Sequence, residues 1–331
     1  MAKQATPVTI KTNNEEGRNP WPSLPSRRRQ DQTAGRVLFG VTLVPVILVA
    51  LITIGLGIRF WPILKVYSFW QLVSGIVWKP EDGQFGFWPF ISGTFWVTIV
   101  GAGLAVPPCI LTALYLSEYA RASTRTIAKP LLDLLAAIPS VVYGVWGVIA
   151  IVPLVEKYIA PFFEKYLGFI PFFVSKNPTG YGILAGGIVL AVMIAPFIIA
   201  VTYEVLTTVS QGLRQASVAV GATQWQTIRS IVIPQTMAGI IAGVVLGATR
   251  ALGETMAVLM VVGNVPQVPH SIFDTAYPLP ALIANNYGEM MSIPLYDAAL
   301  LGAAFILLVI ILIFNIASTL VLQRMLGKRW V

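Results

Sequence analysis

Residues 215–234 read QASVAVGATQWQTIRSIVIP and join two strongly apolar stretches of the chain. Small residues come first, and Gly221 then supplies a left-handed position that can end a helix. Thr223 and Gln226 have the spacing of a capping box, which begins a second short helix. Pro234 suits the first turn of the helix that follows. The segment therefore predicts two short helices joined at a glycine, an elbow that leads into a long apolar helix.

The second short helix of this elbow is predicted to expose Trp225 and Ile228. A compact knob with an exposed Trp is typical of a docking site for another protein. The alternative is an ordinary amphipathic loop that lies on the membrane surface. The order and spacing of the small residues, the glycine and the proline favour the docking elbow.

Composition indicates that the solvent of most of the chain is lipid. Of 331 residues, 56% are hydrophobic and only 11% are charged, and the mean hydropathy is +0.77. An ordinary soluble domain carries roughly 25% charged residues. Six stretches free of Asp, Glu, Lys and Arg reach the length of about 20 residues that a spanning helix needs. These stretches are residues 37–58, 83–117, 134–155, 177–203, 230–249 and 298–323.

The apolar pattern of the fifth stretch continues past Arg250 to Gly263. Lys and Arg are concentrated in the N-terminal tail and in the connections on the same side, and segment 265–296 contains neither. The excess of basic residues places both termini in the cytoplasm. The predicted organisation is a disordered cytoplasmic tail at 1–36, a first transmembrane helix at 37–59, a periplasmic loop at 60–88, and a core of five transmembrane helices at 89–326 with a cytoplasmic coupling loop at 212–234.

Several classes of function are excluded by what the sequence lacks. One cysteine, Cys109, and one histidine, His270, cannot supply a disulfide framework or a metal-ligand cluster. The sequence has no phosphate-binding GxxxxGK[ST] motif and no clustered nucleophile. We therefore expect no catalytic residues, no metal and no cofactor in this chain, and no role as a membrane enzyme. The net charge of +8 is spread over membrane-flanking positions, which indicates topology rather than nucleic-acid binding.

Two charges fall inside the predicted fifth span. Arg250 follows Pro234 by about 24 Å of helix axis, and an Arg that deep in hydrocarbon costs at least roughly 2.5–3.5 kcal/mol. Glu254 lies four residues further on, so the two side chains can meet on a helix. One interpretation is a structural ion pair that pins two helices. The other is a way-station for an anion, since a guanidinium binds an oxyanion with two hydrogen bonds.

The same span contains Gly239, Gly243 and Gly247, a repeated GxxxG pattern. At about 100° per residue these glycines share one helix face with Arg250 and Glu254. Such a face lets another backbone approach closely. We therefore predict that the axis of the assembled protein runs along this face.

The elbow resembles the EAA loop of ABC importer permeases, with Gln215 in place of the usual Glu. In that family the loop is a coupling helix that docks into a groove on the ATPase subunit. The resemblance assigns ATPase coupling to Gln215, Ala216, Gly221, Trp225, Ile228 and Pro234.

Residues 250–258, RALGETMAV, look like the signature of the PstC-type permeases of the phosphate-specific (Pst) transport system, and residues 115–119 and 137–147 also resemble that family. The resemblance implies an all-α integral membrane protein with the type I ABC importer permease (MetI-like) fold. It implies phosphate import across the plasma (inner) membrane, with Arg250 and Glu254 on the substrate pathway. A permease for sulfate or molybdate, and a scaffold without transport, are the alternatives.

The implied partners are a second permease of the PstA type, an ATPase dimer of the PstB type that binds ATP and Mg, a binding protein of the PstS type outside the cell, and membrane lipid, with no nucleic acid.

Overall fold

The computed structural model describes residues 24–174, 179–289, 293 and 295–327, with the backbone alone at 24–31 and 325–327. The α-helices are α1 (Leu24–Leu64), α2 (Phe69–Ser74), α3 (Trp88–Leu114), α4 (Ala122–Ala137), α5 (Ser140–Trp146), α6 (Val152–Leu154), α7 (Ala160–Leu167), α8 (Ile183–Thr207), α9 (Gln211–Ala219), α10 (Gln224–Thr227), α11 (Ile233–Leu252), α12 (Met256–Leu259), α13 (Leu279–Asn286) and α14 (Tyr296–Gly327). The strands β1 (Trp78–Lys79) and β2 (Gln84–Phe85) form one antiparallel hairpin.

Shorter helical segments of other types connect these elements. The 3₁₀ segments are Pro80–Asp82 and Pro171–Phe173, and the π segments are Tyr115–Tyr119, Gly147–Ile151, Val155–Ile159 and Ile228–Val232. The chain divides into two compact units between Ile54 and Gly55.

Six helical stretches are long and apolar enough to cross a membrane, which confirms the predicted number of spans within the described residues. They are Gln32–Leu64, Trp88–Tyr119, Ser140–Leu167, Ile183–Thr207, Gln224–Leu252 and Tyr296–Arg324. The 25 residues of α8 form the centre of the bundle, and two thirds of its most apolar window, 67%, is buried.

The boundary of the predicted N-terminal tail is wrong where the structure describes it. Helix α1 begins at Leu24 and continues without interruption to Leu64, rather than starting at residue 37. Charges mark where an apolar stretch stops, but the Arg and Gln residues of 27–32 are good helix formers and do not end a helix. Residues 1–23 of the predicted tail lie outside the described residues.

The third and fifth spans also differ from their predicted limits. The third span begins at Ser140, because Pro139 separates it from α4, and it continues through Glu156 and Lys157 to Leu167. The fifth span begins at Gln224 and ends at Leu252 instead of reaching Gly263. Counting charge-free residues therefore misplaces the limits of both spans. A helix can carry charges near its ends, and an apolar segment can leave the helical conformation.

Close packing of α3 against α8 forms the main core. A Cβ atom at Gly101 would lie 2.9 Å from the Leu190 side chain, and one at Gly187 would lie 2.5 Å from Val100. The thiol of Cys109 on α3 lies 3.7 Å from the carbonyl oxygen of Ala195 on α8. The two helices therefore form one closely packed pair.

The predicted loop at 60–88 is largely ordered rather than irregular. It contains the end of α1, α2 and the β1–β2 hairpin, whose Trp78 stacks edge-on against Phe85 and Phe90. Tyr296, at the start of α14, contacts the same Trp with ring centroids 6.3 Å apart. The alternation of aromatic residues and glycines in this loop builds a small aromatic core of its own.

Candidate functional site

The elbow has the local structure predicted from its sequence. Helix α9 is capped by Ser210, whose hydroxyl accepts a hydrogen bond from the Leu213 amide at 3.4 Å. Gly221 has a φ of +87° with open space around it, so its backbone conformation is what favours glycine there. Thr223 and Gln226 form the capping box of α10. We define the coupling elbow as residues 211–227.

The coupling elbow presents a partly apolar surface. The Trp225 side chain is 55% exposed, and Val218 and Val220 are exposed with it. Gln215 and Ala216 are exposed on α9, which also carries Val218. The prediction that Ile228 is exposed is wrong: it is 1% exposed and packs in the main core.

Ile228 is the first residue of the π segment Ile228–Val232, which continues α10 into α11 and is buried in the main core at Ile228 and Val232. Pro234 occupies the first turn of α11, as predicted. Among the residues assigned to coupling, those exposed on the elbow are therefore Gln215 and Ala216 on α9, Gly221 in the turn, and Trp225 on α10.

A buried ion pair fastens the coupling elbow to the helix bundle. Arg214 on α9 places Nη1 2.5 Å from Oε2 of Glu118, which lies in the π segment after α3. Their side chains are 15% and 6% exposed. The Nη2 of Arg214 donates to the carbonyl oxygen of Leu206, at the end of α8, at 2.8 Å. Arg214 thus joins the elbow to the ends of both α3 and α8.

Further hydrogen bonds reinforce this joint. Gln224 on α10 donates from Nε2 to the backbone carbonyl of Glu118 at 2.7 Å. The hydroxyls of Ser217 and Thr227 share a buried hydrogen bond of 2.8 Å between α9 and α10. A cavity of about 690 Å³ lies between this network and the open side of the elbow. The elbow is therefore held as one unit on the end of α3.

Arg250 and Glu254 lie at the opposite end of α11, where the helix ends. Arg250 is exposed, and its guanidinium carbon lies 5.8 Å from the centre of the Phe197 ring on α8. The backbone leaves the helix at Gly253, and Glu254 accepts a hydrogen bond from the Ala257 amide at 3.2 Å. Glu254 thereby supplies an N-terminal cap to α12.

The expected meeting of these two side chains on one helix is not found. Within the described part of the chain no carboxylate lies within 4.0 Å of the Arg250 guanidinium. The reason is the end of α11: once Glu254 leaves the helix, its carboxylate points to the first turn of α12 instead of back toward Arg250. Glu254 also borders a narrow cleft of about 10 Å³ beside Thr94 and Thr98 of α3.

The glycine face of α11 packs inside this chain, against α8. A Cβ atom on Gly239 would lie 2.3 Å from Val205, and one on Gly247 would lie 2.6 Å from Ile198. Gly243 faces Val201 in the same way, at 3.1 Å. The expectation that an assembly axis runs along this face is therefore wrong, because α8 already occupies it.

The motif at 137–147 packs against the end of the signature at 250–258. Gly144, in the motif at 137–147, faces α12: its Cβ would lie 3.2 Å from the Cα of Ala257 and 2.7 Å from the sulfur of Met260. The Tyr143 hydroxyl donates to the Leu135 carbonyl oxygen at 2.8 Å and so ties α5 to α4. The tertiary fold thus brings the motif at 137–147 beside the segment that carries Glu254.

Sequence reasoning missed two polar contacts of the site. Glu118 appeared there only at the end of an apolar stretch and in the motif at 115–119, and Arg214 only among the basic residues that set the orientation, although opposite charges on the predicted cytoplasmic side were a usable signal. Thr249, next to Arg250, donates to the side-chain oxygen of Asn315 on α14 at 3.2 Å. A lone Asn within an apolar span was the available signal for that contact.

A family model for the inner membrane component of binding-protein-dependent transport systems matches residues 109–327. The chain belongs to this family. It is a multi-pass membrane permease, in agreement with its six apolar helices.

This permease is similar to relatives named as phosphate transport system permease protein PstC. The relative from Haemophilus influenzae is 35% identical over 308 residues, which is 91% of this chain and 97% of the relative. The relative from Xylella fastidiosa (strain Temecula1) is 35% identical over 254 residues, covering 76% of this chain and 78% of the relative. These matches confirm the resemblance to PstC-type permeases.

The fold is also that of a solved transporter. A chain of the crystal structure of a bacterial alginate ABC transporter, in complex with an alginate pentasaccharide-bound periplasmic protein, superimposes with a TM-score of 0.58. It is 17% identical, and the match covers 89% of this chain and 95% of that chain. The predicted ABC importer permease fold is confirmed.

Proposed function

We propose that this permease is a membrane-spanning subunit of an ATP-driven importer that moves inorganic phosphate across the plasma (inner) membrane. The phosphate transport names of its relatives, which match up to 91% of the chain, support the substrate. The observation in the structure that carries the proposal is Arg250, an arginine at the end of a membrane helix that no carboxylate of the described chain neutralises.

The chemistry of Arg250 suits a passing oxyanion. Its guanidinium stays charged and presents a planar fork of donors that matches phosphate. The Phe197 ring beneath it stabilises the cation without competing for those donors. Glu254, held by the cap of α12 beside the cleft at Thr94 and Thr98, adds negative charge near the site and so favours release.

The subunits that complete the importer follow from the same proposal. ATP and Mg are bound and hydrolysed by an ATPase dimer of the PstB type, which docks on the exposed face of the coupling elbow around Trp225. A second permease of the PstA type forms the other half of the pore. A binding protein of the PstS type delivers phosphate from outside. The elbow and both termini face the cytoplasm, in accordance with the excess of basic residues on that side.

Uptake of radiolabelled phosphate tests this proposal in a strain that lacks other phosphate importers. We expect Arg250→Met to abolish uptake while the four-subunit complex keeps its normal abundance, because an anion cannot pass a dry face without compensating charge. The matched control is Arg59→Met, which removes an arginine that is 72% exposed and faces Asp297. Normal phosphate uptake by Arg250→Met would contradict the proposal. So would a stronger inhibition of uptake by unlabelled sulfate or molybdate than by unlabelled phosphate in the unaltered protein.

A further inference from the structure

The coupling elbow and the Arg250 region lie at opposite ends of the same packed helices. Helix α3 and its π segment connect them: Glu118 at one end binds the elbow, and Thr98 near the other end borders the cleft of Glu254. These two residues are separated by about 30 Å of helix axis. A signal from an ATPase on the elbow must cross this distance to reach the anion site.

The helix pair that spans this distance is closely packed. The Cys109 thiol of α3 and the Ala195 carbonyl oxygen of α8 lie 3.7 Å apart about midway, and Ile198 of α8 fills the space over Gly247 of α11. Closely packed helices move as a body, because a core has few voids into which a side chain can shift. Displacement of the end of α3 or α8 is therefore carried along to the end of α11, where Arg250 lies.

The joint between the elbow and this helix pair is centred on one ion pair. Arg214 is the residue of α9 that holds both helix ends, through Glu118 on the α3 side and the Leu206 carbonyl on the α8 side. Gln224 adds a bond from α10 to the Glu118 backbone. The segment that carries Glu118, Tyr115–Tyr119, and the segment that leads from the elbow into α11, Ile228–Val232, are both π-helical. Such segments are frequent at functional sites, and their wider turn allows the register of the helix to shift by one residue.

We propose that the Glu118–Arg214 ion pair transmits movement of the coupling elbow to α3 and α8, so that Glu118 and Arg214 are positioning residues for energy coupling. This inference rests on the proposed function, since it requires an ATPase that docks on the elbow. Neither residue touches the anion. Their effect reaches it through the packed helices, and loss of the pair leaves the elbow able to bind the ATPase but less able to move α3 and α8.

The experiment measures ATP hydrolysed per phosphate imported by the complete complex in proteoliposomes with its binding protein. The variants are Glu118→Gln, Arg214→Gln and the two together, each with complex yield measured in parallel. Allosteric couplings typically amount to about 5–150-fold, so we expect each variant to raise the ratio at least about fivefold. Because all three remove one and the same link, the double variant should equal the singles instead of multiplying their effects.

The double variant also protects the test against misfolding. A single substitution leaves one charge buried without its partner, whereas the double variant leaves none. A double variant with the normal ratio at normal yield overturns the inference. The matched control is Arg59→Gln with Asp297→Asn, which removes an exposed ion pair of 3.8 Å elsewhere in the bundle. An equal rise in the control would also overturn it, because any ion pair would then serve.

The unaltered complex separates this inference from the proposed function. Absence of ATP hydrolysis or of phosphate import by the unaltered complex refutes the proposed function itself. A normal unaltered complex combined with normally coupled variants refutes only the role of the ion pair.

Discussion

The two groups of charged side chains in this permease differ in what neutralises them. At the coupling elbow, Glu118 and Arg214 are buried and bound to each other; the Leu206 carbonyl accepts a further hydrogen bond from Arg214, and the Ser117 hydroxyl donates one to Glu118. At the end of α11, Arg250 and Glu254 are neighbours in sequence, yet one lies over an aromatic ring and the other caps α12. Charges that satisfy each other hold a structure together, whereas a charge left without an opposite partner is available to a ligand.

The largest loss of stability is expected when the buried ion pair is broken. Glu118→Leu leaves the Arg214 guanidinium buried without its carboxylate, which typically costs about 3–5 kcal/mol of the free energy of unfolding. We expect a clear fall in the melting temperature of the purified protein in detergent, measured by thermal unfolding. Adding Arg214→Met should restore most of it, because no lone charge then remains. The matched control, Asp297→Leu, breaks an exposed pair and should cost only about 0–1 kcal/mol. Equal losses of stability in Glu118→Leu and Asp297→Leu would contradict the conclusion that burial makes the Glu118–Arg214 pair important for the fold.

An intermediate loss of stability is expected for a substitution on the glycine face of α11, which carries no charge and lies between the two groups. Gly239→Val places a Cβ 2.3 Å from the Val205 side chain, and overpacking of this kind typically costs about 1–3 kcal/mol. The melting temperature of the same preparation measures it. Gly103→Val, also within a membrane helix, is the control, because no other side chain lies within 4 Å of its Cβ position. A variant at Gly239 that is as stable as the control would show that α8 does not restrict this face.

The smallest expected effect concerns stability at the unpaired group. Arg250→Met should change the melting temperature little, since the arginine has no ion-pair partner among the described residues and loses only its contact with the Phe197 ring. The same variant should nevertheless lose phosphate uptake. A fall in melting temperature comparable to that of Glu118→Leu would assign Arg250 a structural role and remove the contrast between the two groups.

Local features of the fold were predictable because their causes lie within a few residues. The end of α9 at a left-handed Gly221 and the capping box of Thr223 and Gln226 depend only on nearby backbone groups. The six spans follow from the length of apolar stretches, which the thickness of the bilayer fixes. The assignment of Gln215, Ala216, Trp225 and the other elbow residues to ATPase coupling stays a prediction.

Features that depend on distant contacts were predicted less well. Ile228 looked exposed because helical spacing placed it beside Trp225, but it packs in the main core, which is built from residues far away in the sequence. Glu254 looked like a partner of Arg250 because the sequence between them is compatible with a helix. The chain leaves the helix at Gly253 instead, and α12 then packs closely on Gly144.

The sequence by itself determined that this chain crosses the membrane six times and that two short helices meet at a glycine in the elbow, because hydrophobic length, capping residues and turn glycines act locally. The tertiary structure alone decided which charges meet. Glu118 and Arg214 are 96 positions apart and form the buried pair, while Arg250 and Glu254 are four apart and do not. The physical reason is that an ion pair requires two atoms to lie within a few ångströms in space, and helix ends and packing, rather than spacing along the chain, set that distance.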